Sequence, residues 1–349
     1  MLILIKIILG FIAFALVGIA AFLLVLTLTE FRPPEREDLP ITGSFSVPRF
    51  PMEQMLTICT WNIGYAALDA DQDFFMDGGT GVRPKDKKTV EENLRIIDNF
   101  LEAGGADFIF LQEVDIHSRR SWEINEAEYL SKGKAAAFAA NYRTLFVPVP
   151  IPDFYGKVDC GILTLGNYAP LSAERISLPV PYGWPVRLAQ EKNCFLVERF
   201  PAGDAELVLV NLHLAAYDTG EGRLAQTRVL FDFLLAEYAK GNYCVAGGDF
   251  NRNFPGAEDN FPIKDRDYWD PVVLDPALLG EGWIFASDTS APSCRRLNKP
   301  YNGISEENEY WVIDGFILSP NIELVDVVTV DLGFRNSDHN PVKIEFTIK

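Results

Sequence analysis

The chain has 349 residues, 48% of them hydrophobic, with 31 lysines and arginines against 49 aspartates and glutamates for a formal net charge of −18. A chain of this size can hold its core without disulfide staples. Its acidic excess repels polyphosphate backbones and anionic headgroups, which weighs against long nucleic acids while leaving room for a local cationic cleft.

The first 29 residues are almost wholly apolar, and no charge occurs from Ile7 to Thr29. At ~1.5 Å per residue that run covers ~35 Å, enough to cross a bilayer core. It exceeds the ~7–15 residues of a signal-peptide core, and no small-x-small cleavage site precedes a polar start. We therefore read residues 1–29 as an uncleaved transmembrane signal-anchor; no cysteine near its end offers a lipid attachment point. Lys6 before the span nearly balances Arg32 and Arg36 after it, and the very short N-terminal side favours a large domain outside the cytoplasm.

Residues 30–54 carry Pro33, Pro34, Pro40, Pro48 and Pro51, and proline removes backbone donors, so this segment reads as a linker. One domain follows over residues 55–349, without internal repeats. Strands are predicted at Leu56–Trp61, Phe108–Leu111, Gly161–Leu165, Cys194–Phe200, Leu207–Leu212, Tyr243–Ala246, Trp311–Leu318 and Val342–Ile348. Val90, Leu94, Ile97 and Leu101 mark one amphipathic helix, stopped by Ala103-Gly104-Gly105, and a second runs from Arg223 to Tyr238. Many strands with few helices predict two packed sheets with helices outside.

Between the first strand and first helix of that domain, Asp69–Arg83 contains Phe74-Phe75-Met76 followed by glycines. It reads as a loop that folds over a site or meets a membrane, or one whose aromatics pack on the domain. Cys59, Cys160, Cys194 and Cys244 lie in or beside apolar runs, which predicts buried free thiols. With Cys294 they make an odd set with no CxxC pair.

Two of only three histidines fall in segments that follow or precede strands: Asn211-Leu212-His213-Leu214 and Ser337-Asp338-His339-Asn340. Asn62, Gln112-Glu113 and Gly248-Asp249-Phe250-Asn251 occupy similar places, so loops at one rim of a rigid sandwich would gather them. The third histidine, His117, reads as a solvated loop residue. Singly, each segment has an ordinary explanation as a turn or a solvated group.

Taken together, Thr60-Trp61-Asn62, Leu111-Gln112-Glu113-Val114-Asp115, Asn211–Leu214, Gly248–Asn251, Ile313-Asp314-Gly315-Phe316 and Ser337–Pro341 resemble the endonuclease/exonuclease/phosphatase superfamily over Thr57 to Ile348. That resemblance implies an α/β four-layer sandwich of two face-to-face mixed sheets flanked by helices. It also implies metal-dependent phosphoester hydrolysis with Mg²⁺, or Mn²⁺ in its place. Glu113, Asn62 and Asp338 would then stand at the metal, Asn62 as amide ligand or as a donor beside it. Asp249 would deprotonate the attacking water and Asn251 would donate to a phosphate oxygen. His339, held by Asp314, would be a cationic donor, and His213 a phosphate donor or leaving-group acid. Asp159 is a candidate carboxylate for fixing the His213 tautomer. Arg119 and Arg120 are candidates for holding a second phosphate or headgroup, with surface salt bridging as the alternative.

The Trp-Cys-Asp-Arg segment of inositol 5-phosphatases is replaced here by Val312-Ile313-Asp314-Gly315. Three functions remain: a membrane-anchored phosphoesterase acting on a lipid headgroup or small phosphoester, a nuclease of the same mechanism, and a non-catalytic scaffold. The scaffold predicts loss of a central residue, and none is lost. No segment implies a protein partner.

Overall fold

The computed structural model describes residues 1–43, 54–217, 220–305 and 307–349. Helix α1 (Leu2–Leu28) is long and apolar enough to cross a bilayer. Strand β1 (Arg36–Asp38) follows it. Next come β2 (Leu56–Asn62), α2 (Lys87–Gly104), β3 (Phe108–Asp115), the short α3 (Glu126–Leu130), β4 (Ala135–Val147), β5 (Gly156–Gly166) and β6 (Ser172–Ser177). The chain continues through β7 (Cys194–Ala202), β8 (Ala205–His213), α4 (Glu221–Ala239), β9 (Tyr243–Asp249) and α5 (Ala257–Asn260). It ends with β10 (Ile284–Ala286), β11 (Cys294–Arg295), β12 (Tyr310–Trp311), β13 (Asp314–Leu318), β14 (Ile322–Thr329) and β15 (Val342–Ile348).

These strands form a seven-stranded sheet in the order β1-β6-β7-β8-β9-β13-β10 and a six-stranded sheet in the order β14-β15-β2-β3-β5-β4. Both are mixed: β2 runs parallel to β3 and β8 parallel to β9 among antiparallel neighbours. The inner faces meet through Ile58, Phe108 and Phe110 from one sheet and Phe200, Leu209 and Phe316 from the other. The rings of Phe108 and Phe200 lie 5.0 Å apart, edge to face. Helix α2 covers the outer face of the six-stranded sheet with Val90, Leu94, Ile97 and Leu101, the residues its periodicity singled out. Helix α4 covers the other sheet with Leu230, Phe231 and Leu234. The result is four layers, helix–sheet–sheet–helix, and all five cysteines are buried and free.

Several elements depart from the sequence reading. Strand β4, rich in alanine, pairs with β5 from Ala135 to Val147; tertiary pairing overrides the helical preference of Ala. The predicted strand over Trp311–Leu318 is split into β12 and β13. The intervening carbonyls of Val312 and Ile313 accept hydrogen bonds from Phe254 and Phe250 (3.0 Å each). The linker reading also needs correction over residues 30–43, which pack on the domain. Strand β1 adds to the free edge of β6. Leu39 donates to Ala173 and Thr42 to Ala136 (2.8 Å each), while Leu39 and Ile41 pack beside Ala137 and Leu196. Pro33, Pro34 and Pro40 flank this edge strand instead of interrupting it, which an edge tolerates. Residues 44–53, with Pro48 and Pro51, lie outside the described residues.

Two features of the core generate predictions. A Cβ on Gly247 would stand 2.3 Å from the Phe316 ring and 3.3 Å from that of Phe110. Gly247→Ala should therefore cost about 1–3 kcal/mol through overpacking between the sheets, read from the urea midpoint. Burial also pushes the Glu198 carboxyl from its ordinary 4.5 up to about 8. The native state then keeps a proton that the unfolded chain releases, so this group's contribution falls as pH rises between those two values. Glu198→Gln should flatten that decline and raise the midpoint of thermal unfolding by a few degrees at about pH 8.5 relative to the parent.

Candidate active site

Strand register assembles the site at one rim. In the seven-stranded sheet His213 at the end of β8 pairs with Asp249 at the end of β9, and Asp249 pairs with Asp314 at the start of β13. Three functional side chains thus share one row across three adjacent strands. Gly248 makes this alignment feasible: its φ is +147°, and a Cβ there would lie 2.0 Å from the Leu212 carbonyl oxygen. In the facing sheet Asn62 ends β2 opposite Gln112, and Glu113 follows at a register shift in β3 with a φ of +53°. Asp338 and His339 enter just before β15, where the Trp61 indole donates to the His339 carbonyl (2.8 Å).

Asn62 joins the two sheets at the rim. Its Nδ2 donates to Glu113 Oε1 and to Asp249 Oδ2, both at 3.1 Å, while its Oδ1 accepts from the Gly64 amide at 3.0 Å. In this orientation Asn62 acts as the donor beside the carboxylates, the second of its two anticipated roles, and its oxygen is already engaged. Below it, Gln112 Nε2 donates to Asn211 Oδ1 at 2.8 Å, a second polar tie between the sheets.

Asp249 is the centre of the cluster. Its Oδ1 accepts from the Asn251 amide (2.8 Å), and its Oδ2 lies 3.6 Å from His213 Nε2 and 3.8 Å from His339 Nε2. His339 Nδ1 lies 2.8 Å from Asp314 Oδ2, which also accepts from Ser293 Oγ at 2.7 Å. Ser293 in turn is held by the amides of Ile313 and Asp314, each at 3.0 Å.

Burial by itself would depress His339, but the Asp314 carboxylate, with Cys294 and Asp338, outweighs it and holds the imidazole well above its ordinary 6.5. Burial raises Asp314 to about 6 against the pull of His339, so at neutral pH the shared proton sits on the imidazole. His213 is also raised: burial opposes the charge, while Glu191, Asp249 and Glu113 favour it. Its Nδ1 is buried and has no hydrogen-bond partner among the described residues.

Three anticipated roles are corrected. Asp159 does not hold His213: its carboxylate lies 2.7 Å from Arg143 Nε, and strand β5 pairs it opposite that arginine. The carboxylate that acts most strongly on His213 is Glu191, which accepts from Asn193 Nδ2 at 2.7 Å; that same nitrogen reaches the His213 carbonyl at 3.3 Å. Arg119 is occupied by Asp153 (2.7 Å) and the Phe154 carbonyl. Arg120 is buried, forked onto Asp115 (2.9 and 3.0 Å), bonded to Tyr155 and stacked 3.7 Å over the Tyr65 ring. Both arginines brace the β3–β5 region, so neither offers a free phosphate clamp. Asn251 is in place, but its Nδ2 donates to the Leu214 carbonyl (2.7 Å).

Glu191 and Ser293 escaped the sequence reading because Gln-Glu-Lys-Asn and Ala-Pro-Ser-Cys look like surface turns. His117 is exposed, as expected. The Asp69–Arg83 loop folds over the site: Phe74, Phe75 and Met76 line the cavity, and Asp77 anchors the loop through Tyr217, Tyr268 (2.9 Å) and the Leu297 amide (3.1 Å).

Glu113 and Asp338 supply hard oxygen ligands of the type Mg²⁺ takes. Burial pushes Asp338 up to about 7 against the pull of His339, and the charge of Glu113 adds to the rise. The oxygen chemistry of these two carboxylates fits the ion. Two groups have possible ligand atoms within 4.8 Å of one another, Cys294 with Asp338 and His339, and Asp249 with Asp314 and His339; His339, held protonated by Asp314, stands in both.

Two face-to-face sheets whose shared rim gathers two histidines with the carboxylates of Glu113, Asp249, Asp314 and Asp338 define a metal-dependent phosphoester hydrolase. The chain belongs to the endonuclease/exonuclease/phosphatase family, whose model matches residues 59–339. No curated protein matches it. Among solved structures, a family protein from Beutenbergia cavernae shares the fold at a TM-score of 0.56 and 15% identity, over 84% of this chain and 72% of that one. A functionally unknown conserved protein from Enterococcus faecalis matches at 0.54 and 16% identity, over 84% of this chain and all of its own (100%). TDP2 from D. rerio, in complex with a single-strand DNA product, matches at 0.51 and 16% identity over the same shares, 84% and 100%.

The Ser293–Asp314–His339 relay predicts that Asp314→Asn keeps a hydrogen bond to Nδ1 but loses the charge that holds the proton. Turnover should fall about 10²–10³-fold with KM changed less than about threefold, measured by steady-state kinetics with Mg²⁺.

Proposed function

We propose that this chain is a membrane-anchored, divalent-metal-dependent phosphoesterase that hydrolyses a lipid headgroup or another small phosphoester by in-line attack of water. The observation that carries the chemistry is Asp249 Oδ2, held by Asn62 and faced by the Nε2 atoms of both histidines. In this reading Glu113 and Asp338 hold Mg²⁺, or Mn²⁺ in its place. Bound there, the cation polarises the phosphoryl oxygen and stabilises the leaving oxygen.

Asp249 takes the proton of the attacking water at Oδ2, which Asn62 holds from one side and which faces both histidines, while the Asn251 backbone amide occupies Oδ1. His339, cationic through Asp314, donates from Nε2 to a non-bridging oxygen and balances the charge that develops there. His213, raised by Glu191, Asp249 and Glu113, donates from Nε2 to the phosphoryl group or the departing oxygen. Helix α1 provides the anchor, with the catalytic domain outside the cytoplasm, and the net charge of −18 favours small or lipid substrates over long nucleic acids.

The second reading is a nuclease, supported by the shared fold with a TDP2 whose structure holds a DNA product. Hydrolysis of bis-p-nitrophenyl phosphate, p-nitrophenyl phosphate, phospholipids, sphingomyelin and plasmid DNA separates the two. Turnover should require Mg²⁺ or Mn²⁺, and His213→Ala and Asp249→Asn should each lower it by about 10³-fold or more. Glu113→Gln should raise the metal concentration needed for half-maximal rate. Metal-independent turnover, or full activity in both substitutions, would overturn the mechanism, and exclusive cleavage of DNA would select the nuclease.

A further inference from the structure

The cavity that holds the reactive cluster extends well past it. Its volume is about 560 Å³, and its lining includes Glu113, Asp249, Asp338 and His339 together with an apolar set. That set includes Phe22, Leu23 and Leu26 of α1, and Val149, Pro185 and Val186 of the domain. The helix read as a membrane span is thus also a wall of the active-site cavity.

Several contacts fix α1 there. The Phe22 and Phe146 rings meet edge to face at 6.1 Å, and Thr27 Oγ1 accepts from the Trp184 indole at 3.1 Å. Just beyond the helix, the Glu30 carboxylate receives Arg32 (2.9 Å), Arg187 (3.2 Å) and Lys192 (3.5 Å). About 20 residues suffice to cross a hydrocarbon core of ~30 Å. Leu2–Ala21 meets that need, so Phe22–Leu28, the turns that touch the domain, fall at the depth of the headgroups.

The domain surface beside those turns is built for the same depth. Ile151 is 78% exposed and Trp184 55% exposed, and Leu145, Val149 and Val186 are exposed near them. Val149 and Val186 line the same cavity, with Ile151 and Trp184 two residues from them in the chain; exposed apolar side chains gathered at one mouth mark an interaction surface, and tryptophan favours the membrane interface. Arg32, Arg143 and Arg187 surround the end of the helix and are each more than two-fifths exposed; Arg32 and Arg187 share Glu30 and Arg143 pairs with Asp159, so three guanidinium groups against two carboxylates leave a local cationic excess on a chain of net charge −18. Such residues reach lipid phosphates while their stems lie along apolar surface.

We propose that the rim formed by Val149, Ile151, Trp184 and Val186 sits in the leaflet that α1 crosses. The cavity mouth then opens onto the bilayer, and the substrate is a long-chain phosphoester lipid that enters sideways. Its chain lies against Phe22, Leu26 and Val186 while its phosphate reaches Asp249 and His339. This rests on the phosphoesterase reading and names its substrate class.

The test uses the full chain in phosphatidylcholine vesicles and has two arms. Of six tryptophans only Trp184 is exposed, so brominated phosphatidylcholine should quench the emission of the parent clearly more than that of Trp184→Phe. In the second arm, hexadecyl p-nitrophenyl phosphate embedded in the vesicles is compared with methyl p-nitrophenyl phosphate in the buffer. The long-chain diester should be preferred in kcat/KM by on the order of tenfold or more. Ile151→Glu, outside the cavity lining, should remove most of that preference and leave the methyl diester within about twofold. Equal quenching of parent and Trp184→Phe, as a rim covered by a second copy or facing water would give, overturns the proposal. So does an equal rate on both diesters. Silence on both diesters together with strong quenching would instead count against the phosphoesterase reading while supporting the membrane seat of the rim.

Discussion

The site depends on one side chain that touches both sheets. Asn62 ends a strand of the six-stranded sheet, yet its amide nitrogen holds Glu113 of that sheet and Asp249 of the other at the same 3.1 Å. In the proposed mechanism a metal ligand and a general base must keep a fixed separation, and a single planar amide spans Glu113 and Asp249, the two residues proposed for those roles. Everything beneath supports that span: the Gln112–Asn211 bond, the interleaved phenylalanines and the absence of a side chain at Gly247. A small shift of one sheet against the other would break the geometry before it broke the fold.

Charge is arranged on the same principle. Burying several carboxylates with two histidines at one rim is costly unless protons or cations compensate. The Asp314–His339 pair is compensated by a proton on the imidazole, fixed by Ser293. Beside it, His339 Nε2 stands 4.0 Å from Asp338 Oδ2 and Asn62 donates to Glu113, and in the proposed reading a divalent cation would compensate the charge that these two carboxylates retain. The buried Arg120–Asp115 pair, forked and hydrogen-bonded to Tyr155, illustrates the other solution, in which a guanidinium is spent on structure.

Much of this was legible in the sequence because the chemistry falls at strand ends. Asn62, Glu113, His213, Asp249 and Asp338-His339 each adjoin an apolar run, so both the strands and the rim followed from periodicity. What stayed hidden has physical reasons. Strand β4 went unassigned because its alanines carry no strand signal of their own, and pairing with β5 supplies one. Glu191 and Ser293 come from turns whose positions only the tertiary fold sets, and Asp159 was a misassignment because strand pairing gives it to Arg143. The edge strand at Arg36–Asp38 hid among prolines, which mark a linker by composition yet flank a strand in the fold.

The most direct test of the account is the position of the metal. Crystals soaked in Mn²⁺ and measured at its absorption edge would show an anomalous peak. A single peak in contact with Glu113 and Asp338, with His339 still paired to Asp314, is the predicted result. A peak seated between Asp249, Asp314 and His339 would contradict the assignment of Asp249 as base and His339 as cationic donor, and with it the mechanism.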